Sequence, residues 1–214
     1  MENPVNKGFS IITNFGCNRN CNYCIWRLHP LKNCFTTMES FDWIKLNKYI
    51  PLYDKISISG GGDPFFKLDK NWIWYEKLFS LYTGKIDVHT SNILTGVDKL
   101  KYVHFNRIVL HLSYKRFVRV YKYLNNINCN LRLIFVIDNS LSKDQIDSIV
   151  ELTDNKYELS FKELDGEKSI RTLELEKYIQ NLKVYFIKLN DYNIYFMPDN
   201  NIWLNFMEDK NGRF

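Results

Sequence analysis

Three thiols crowd into eight residues near the N-terminus, Cys17-Asn-Arg-Asn-Cys21-Asn-Tyr-Cys24, with the spacing C-x3-C-x2-C. Thiolates are soft ligands, and three on one short loop can close on a single soft metal centre. In a cluster of four irons, three are then held by protein and the fourth keeps a position open for another ligand. Two other readings stand beside this one. Structural zinc needs four closed ligands; Cys34 could be the fourth, but no second C-x2-C or His pair completes such a site. Cysteine also serves as a small core residue, although clustering among Asn and Arg speaks against that use. The spacing favours an iron–sulfur site with one iron left open for chemistry.

The elements that must position these thiols alternate along the chain. Residues 9–13, Phe-Ser-Ile-Ile-Thr, read as a buried strand, which puts the cysteines on the loop at its C-terminal end. Further strands are predicted over 55–59, 86–90, 107–112, 131–137 and 156–163. Between them, helices are predicted over 39–49, 71–81, 97–102 and 117–124, and from the capping-box sequence Ser142-Lys-Asp-Gln145 to residue 152. Strict alternation implies a parallel sheet with right-handed crossovers. About six such units are too few to close an eight-stranded barrel. The expected α/β fold is therefore an open partial (β/α)6 barrel over 1–165, with ligands at the C-terminal ends of its strands. After Gly166 the rhythm changes to a helix over 169–182 and strands over 184–189, 193–197 and 202–206. Turn-forming Asn, Asp and Pro residues between those strands predict an antiparallel β-meander in a C-terminal extension, 166–214, that edges the sheet or covers its mouth.

Bulk composition narrows the function classes. A net charge of +5 is mildly basic, but no Lys/Arg-rich run stands out, so nucleic acid is not indicated. No apolar stretch reaches the length of a membrane span, and the start Met-Glu-Asn-Pro lacks the basic and hydrophobic regions of a signal peptide. Five cysteines, three of them clustered, fit a reducing cytoplasm better than a disulfide scaffold. The expected protein is cytoplasmic and not bound to a membrane.

A second loop sharpens the reading. The strand over 55–59 runs into Gly60-Gly61-Gly62-Asp63-Pro64. The cysteine loop, with aromatic Tyr23 before its last Cys24, and this glycine loop together resemble the radical S-adenosylmethionine superfamily. Its members carry C-x3-C-x-φ-C after the first strand and a Gly-Gly-Glu-Pro-like element after the second; here Asp63 replaces the Glu. The resemblance covers residues 8–165. It implies a [4Fe-4S] cluster on Cys17, Cys21 and Cys24, with S-adenosylmethionine chelating the open iron through its amino and carboxylate groups. One-electron reduction then breaks the sulfonium C–S bond and yields a 5′-deoxyadenosyl radical that abstracts hydrogen. Such enzymes draw their electron from an external donor such as flavodoxin or ferredoxin.

The same resemblance assigns cofactor contacts. Tyr23, Gly61 and Gly62 would lie against the cofactor, and Asp63 or nearby carbonyls would accept from its ammonium group. Thr90-Ser91-Asn92 stands where relatives place a Thr-Asn element, and His111 and Ser113 stand where they present a ribose-contacting Ser. Arg132 on an apolar strand and Glu163 at the end of another are candidate substrate contacts inside the barrel. His29, His89 and His104 read as structural or surface residues, and Cys34 and Cys129 as packing residues. No cysteine follows Cys129, so no auxiliary cluster is expected. The substrate, a small molecule or a protein, stays open between a 7-carboxy-7-deazaguanine synthase-like enzyme and an activase of a glycyl-radical enzyme. A non-catalytic zinc or iron–sulfur module is the reading from another class.

Overall fold

Ile56 and Ile58, Ile86 and Val88, Ile108 and Leu110, Leu133 and Phe135 recur at every second position and are all buried. In an extended chain that spacing gathers them on one face. The computed structural model describes residues 8–21, 24, 26, 30–92, 103–154, 156–164, 167–187 and 193–203. Its strands are β1 (Gly8–Thr13), β2 (Lys55–Gly60), β3 (Lys85–Thr90), β4 (Arg107–His111), β5 (Leu131–Val136), β6 (Glu158–Lys162), β7 (Tyr185–Ile187), β8 (Asn193–Phe196) and β9 (Ile202–Trp203). They form one sheet in the order β7-β6-β5-β4-β3-β2-β1-β8-β9, in which only the β8–β9 pairing is antiparallel.

Helices α1 (Trp43–Tyr49), α2 (Leu68–Leu81), α3 (Tyr114–Leu124), α4 (Lys143–Thr153) and α5 (Ile170–Gln180) cover the apolar face. Each turns a short buried stripe to it: Trp74, Tyr75 and Leu78 from α2, Phe117 and Leu124 from α3, Ile146 and Ile149 from α4, Leu175 and Ile179 from α5. The predicted capping box is present. Ser142 Oγ accepts from the Gln145 N–H at 3.3 Å, and Gln145 Oε1 accepts from the Ser142 N–H at 3.1 Å. Such a cap stabilises a helix start by about 1 kcal/mol. The helix expected from 39 starts at Trp43 instead, because Asp42 Oδ1 accepts from the Lys45 N–H at 2.8 Å and caps it there. The helix expected over 97–102 lies outside the described residues. No described helix is long and apolar enough to cross a membrane.

The opposite, inner face of the sheet is polar. It carries Ser57, Asp87, Arg107, His89, His111, Arg132, Ser160 and Lys162, the residues that alternate with the buried apolar ones. Near the N-terminal ends of the strands these side chains tie neighbouring strands together. Arg107 Nη2 bonds Asp87 at 2.7 Å and its Nη1 bonds Glu158 at 2.6 Å.

The C-terminal strands divide. β7 adds in parallel to β6 at one edge, whereas β8 adds in parallel to β1 at the other. The predicted antiparallel pairing is confined to the β8–β9 hairpin, where Asn200 (φ 66°) supplies the left-handed turn residue. From Ile187 to Asn193 the chain can span at most roughly 22 Å. A flat sheet would hold β7 and β8 about 34 Å apart, seven strand spacings. The sheet therefore curls, as a partial barrel does, and its polar face is the concave one.

Candidate functional site

Two loops leave the C-terminal ends of β1 and β2 and pack on each other. The Gly61 N–H donates to the Thr13 carbonyl at 2.7 Å, and the Asp63 N–H donates to the Gly16 carbonyl at 2.9 Å. Close approach explains the glycines. A Cβ on Gly61 would stand 2.2 Å from the Trp26 indole, and one on Gly62 would stand 2.4 Å from the Gly16 carbonyl oxygen. The space freed by the missing side chains is thus taken by the cysteine loop itself.

Asp63 is 3% exposed. Its Oδ1 accepts from the Phe65 N–H at 2.9 Å and from Thr90 Oγ1 at 2.6 Å, while Oδ2 accepts from the Ser91 N–H at 2.7 Å. The carboxylate therefore binds the glycine loop to the end of β3. Thr90 Oγ1 also accepts from the Asn92 N–H at 2.9 Å. Asn92 Oδ1 in turn accepts from Arg19 Nη2 at 3.1 Å, which returns the chain of bonds to the cysteine loop. Gly61, Gly62, Asp63, Thr90, Ser91 and Asn92 are thus brought together. Tyr23 lies outside the described residues.

Cys17 is exposed, Cys21 and Cys24 are half-buried, and none of the three is in a disulfide. The Cys24 N–H donates to the Cys21 carbonyl at 3.2 Å and the Arg19 N–H to Cys17 Sγ at 3.3 Å. Protein packed around the Cys17 thiol pushes its pKa up; the Arg19 amide opposes this, while Asp63, Cys21 and Cys24 add to it. Among the described residues, no three Cys, His, Asp or Glu side chains are drawn close enough together to hold a metal ion. In donor chemistry the loop nevertheless fits a thiolate-held cluster: three cysteines outside any disulfide on one short loop, close enough to feel one another's charge.

Arg116, one helical turn into α3, went unnoticed in the sequence. Its guanidinium is half-buried and has no hydrogen-bonding partner among the described residues. Burial first, then Arg19, bring its pKa down to about 10, against the opposing pull of Asp63, Cys21 and Cys17. Two guanidiniums therefore flank the cysteine loop. Ser113, at the start of the same helix, is exposed and its hydroxyl caps nothing. Asn14 likewise stands out only in the folded chain. It is 2% exposed, and its side-chain amide donates to the carbonyls of Lys32 and Cys34 while its Oδ1 accepts from the Gly16 N–H. A polar residue at the first position past a buried strand is the only sequence signal it carried.

The two candidate substrate contacts lie elsewhere. Arg132 belongs to the inner face low on β5, where Nε donates to Ser160 Oγ at 2.8 Å and the guanidinium stacks 4.8 Å from the Tyr185 ring. Glu163 follows β6 and pairs with Lys168, which also bonds Glu176. A cleft of about 440 Å³ lined by Asp54, Gly84, Lys85, His104 and Asn106 opens at the other end of the strands and holds none of these residues.

His111 does not stand alone at the end of β4: His89 of β3, read from sequence as structural or surface, lies 3.2 Å from it across the strand pair. Burial first, then Lys162, Arg132, Arg107 and Lys55, lower the His89 pKa from 6.5 to about 3; burial, His89 and Lys162 hold that of His111 well below its usual range. Both rings are thus neutral in the folded protein, and on acidification the unfolded chain takes up their protons first. Stability from these rings is complete above pH 6.5 and drains away as the pH falls from there towards 3. Urea unfolding across that window should show a shallower decline for His89→Gln than for the wild type; superimposable profiles would contradict the assignment.

No family model and no curated protein matches the sequence. The fold, however, is similar to that of Streptococcus suis SuiB, solved bound to precursor peptide SuiA. The TM-score is 0.58 at 15% identity, over 92% of this chain and 58% of the SuiB chain. The chain thus spans 58% of the length of that neighbour. What the two share is the architecture, an α/β fold with a mostly parallel sheet curled as a partial barrel.

Proposed function

We propose that this chain is a radical S-adenosylmethionine enzyme that holds a [4Fe-4S] cluster on Cys17, Cys21 and Cys24. The observation that carries the reading is the hydrogen-bonded ring of three loops, from Arg19 through Asn92, Thr90 and Asp63 back to Gly16, at the C-terminal ends of β1 to β3. Ligands of parallel α/β sheets bind at this end. Held there and reduced by one electron, such a cluster would supply the electron for splitting the sulfonium C–S bond of S-adenosylmethionine into methionine and a 5′-deoxyadenosyl radical for hydrogen abstraction.

The chain's own groups have separate duties in this reading. Arg19 and Arg116 offset the negative charge of the thiolates, and the open guanidinium of Arg116 takes the methionine carboxylate. The Gly61–Asp63 backbone faces the methionine ammonium with its carbonyls, and Asp63 keeps that backbone in place through Thr90 and Ser91. Ser113, whose hydroxyl is unused by its own helix, bonds the ribose. The electron comes from an external flavodoxin- or ferredoxin-like donor. The fold neighbour binds a peptide, which favours a peptide or protein substrate over a pterin.

The test is loss of colour and of cofactor cleavage together. Anaerobically reconstituted wild type should be brown and form 5′-deoxyadenosine from S-adenosylmethionine and dithionite. Cys17→Ser, Cys21→Ser and Cys24→Ser combined should abolish both. A colourless, zinc-containing wild type, or a triple variant that still makes 5′-deoxyadenosine, sinks the reading.

A further inference from the structure

Strands β3 and β4 set two imidazoles side by side on the concave face, with His89 Nδ1 and His111 Nε2 3.2 Å apart. At that separation one nitrogen carries the shared proton and the other is bare. A neutral imidazole has a single N–H, so this one bond dictates the state of both outer nitrogens. If His89 Nδ1 donates, His89 Nε2 is bare and His111 Nδ1 carries a proton. If His111 Nε2 donates, the outer ends are exchanged. In either arrangement the pair presents one donor and one acceptor to its surroundings.

Those outer nitrogens are available. Neither has a second hydrogen bond among the described residues, and neither is among the sealed polar atoms that lack a partner. The pair also stands near the mouth: His89 adjoins Thr90 in β3, and His111 is the last residue of β4. The groups around it keep both rings uncharged. Lys162, Arg132, Arg107 and Lys55 all oppose an added positive charge at His89. The nearby carboxylates are engaged elsewhere, Asp87 by Arg107 and Lys55, and Glu158 by Arg107 and Arg132.

We propose that His89 and His111 form a neutral proton relay that exchanges one proton with a substrate group carrying an exchangeable hydrogen, a hydroxyl, amide or carboxylic acid, bound on the concave face of the sheet. The substrate X–H bond gives its proton to the bare outer nitrogen, and X keeps the electron pair. The proton between the rings crosses to the other ring, whose far nitrogen releases its own proton to water. One proton enters and one leaves, both rings are neutral before and after, and no oxidant or reductant takes part. The reverse transfer restores the starting arrangement. Only the place where substrate binds rests on the proposed function; the pairing of the rings does not depend on the cluster.

Nitrogen-15 NMR of the histidine-labelled chain at neutral pH, without added metal or S-adenosylmethionine, tests the relay by itself. His89 and His111 should each be singly protonated. Their outer nitrogens should resonate between the bare and protonated limits, because the two arrangements exchange. His111→Gln should freeze His89 in one tautomer; should that variant not fold, His89→Gln examines His111 in the same way. Acetamide, which offers one donor and one acceptor, should shift the outer nitrogens of the wild type. A doubly protonated ring, a fixed tautomer in the wild type, or outer nitrogens indifferent to acetamide overturns the relay. A colourless wild type that still shows exchanging tautomers overturns the enzyme reading and leaves the relay standing.

Discussion

Asp63→Ala should lower stability by about 3–4 kcal/mol and detach the glycine loop from the end of β3. Hydrogen bonds to a charged group are worth roughly 1.5–3 kcal/mol each, and deleting one partner leaves the others to bear their own desolvation. Three donors depend on this carboxylate: the Phe65 N–H, Thr90 Oγ1 and the Ser91 N–H. Thr90 is itself 2% exposed, so water cannot easily replace what is removed. The three bonds share one acceptor group, so their energies do not add in full. Asp63→Asn should do less harm, because its carbonyl oxygen can still serve Phe65 and Thr90 while its NH2 group faces the Ser91 N–H. A loss under about 1 kcal/mol for the alanine variant in urea unfolding would refute the latch. The Asn variant also separates stability from the proposed function: it should keep its fold, and under that proposal it should bind S-adenosylmethionine less well.

Asp87→Ala is the second large effect, about 3–5 kcal/mol, the range for breaking a buried pair by removing one partner. Asp87 is 2% exposed. Its Oδ2 is 2.7 Å from Arg107 Nη2 and 3.2 Å from Nε, and its Oδ1 accepts from Asn106 Nδ2 at 2.7 Å. Without it, Arg107 retains only Glu158 among the described residues, a side chain 56% exposed and correspondingly weak as a partner. Removing the cation as well relieves the problem. Asp87→Leu with Arg107→Leu should be less destabilised than Asp87→Ala alone, because no uncompensated guanidinium is left on the sheet. Additive losses from the two positions in chemical unfolding would show that the pair is not coupled.

How much of this was legible in the amino-acid order depends on how local each feature is. Runs such as Leu131-Arg-Leu-Ile-Phe-Val identify a strand because β-branched and apolar residues alternate within the run itself. The Ser142–Gln145 capping box is equally self-contained, and the helix begins where it says. Partners are another matter. Short Asn- and Asp-rich turns around 190 and 199 indicate that the chain reverses, not which edge of the sheet receives the next strand, so β7 and β8 were expected side by side and lie at opposite edges. The β3–β4 register was not readable either, although His89 and His111 both fall in the polar phase of their strands. That parity would have flagged the pair had the two strands been aligned. Arg116 had no local signal; it matters only because α3 begins at Tyr114, earlier than the 117 expected, and carries the guanidinium up against a loop nearly a hundred residues away.

Asp63 shows how a residue can be located correctly while its surroundings stay hidden. The glycine loop was found from its composition and from the strand before it. That its acid would be spent on Thr90 and Ser91 followed from the lateral spacing of β2 and β3, which no linear motif encodes. The same holds for Gly61, whose constraint comes from Trp26 on a different loop.

The pairing of β1 with β8 bears on synthesis as well as on shape. During translation, β1 and its cysteines leave the ribosome long before Asn193–Phe196 are made, so the strand carrying the thiols waits with one flank unprotected until about 180 further residues have emerged. Contacts so distant in order close slowly, and a bare strand edge is a template for wrong association. Cells making this protein thus have a window in which the nascent thiol loop is exposed on an unfinished scaffold, and slower elongation near residue 190 would widen it.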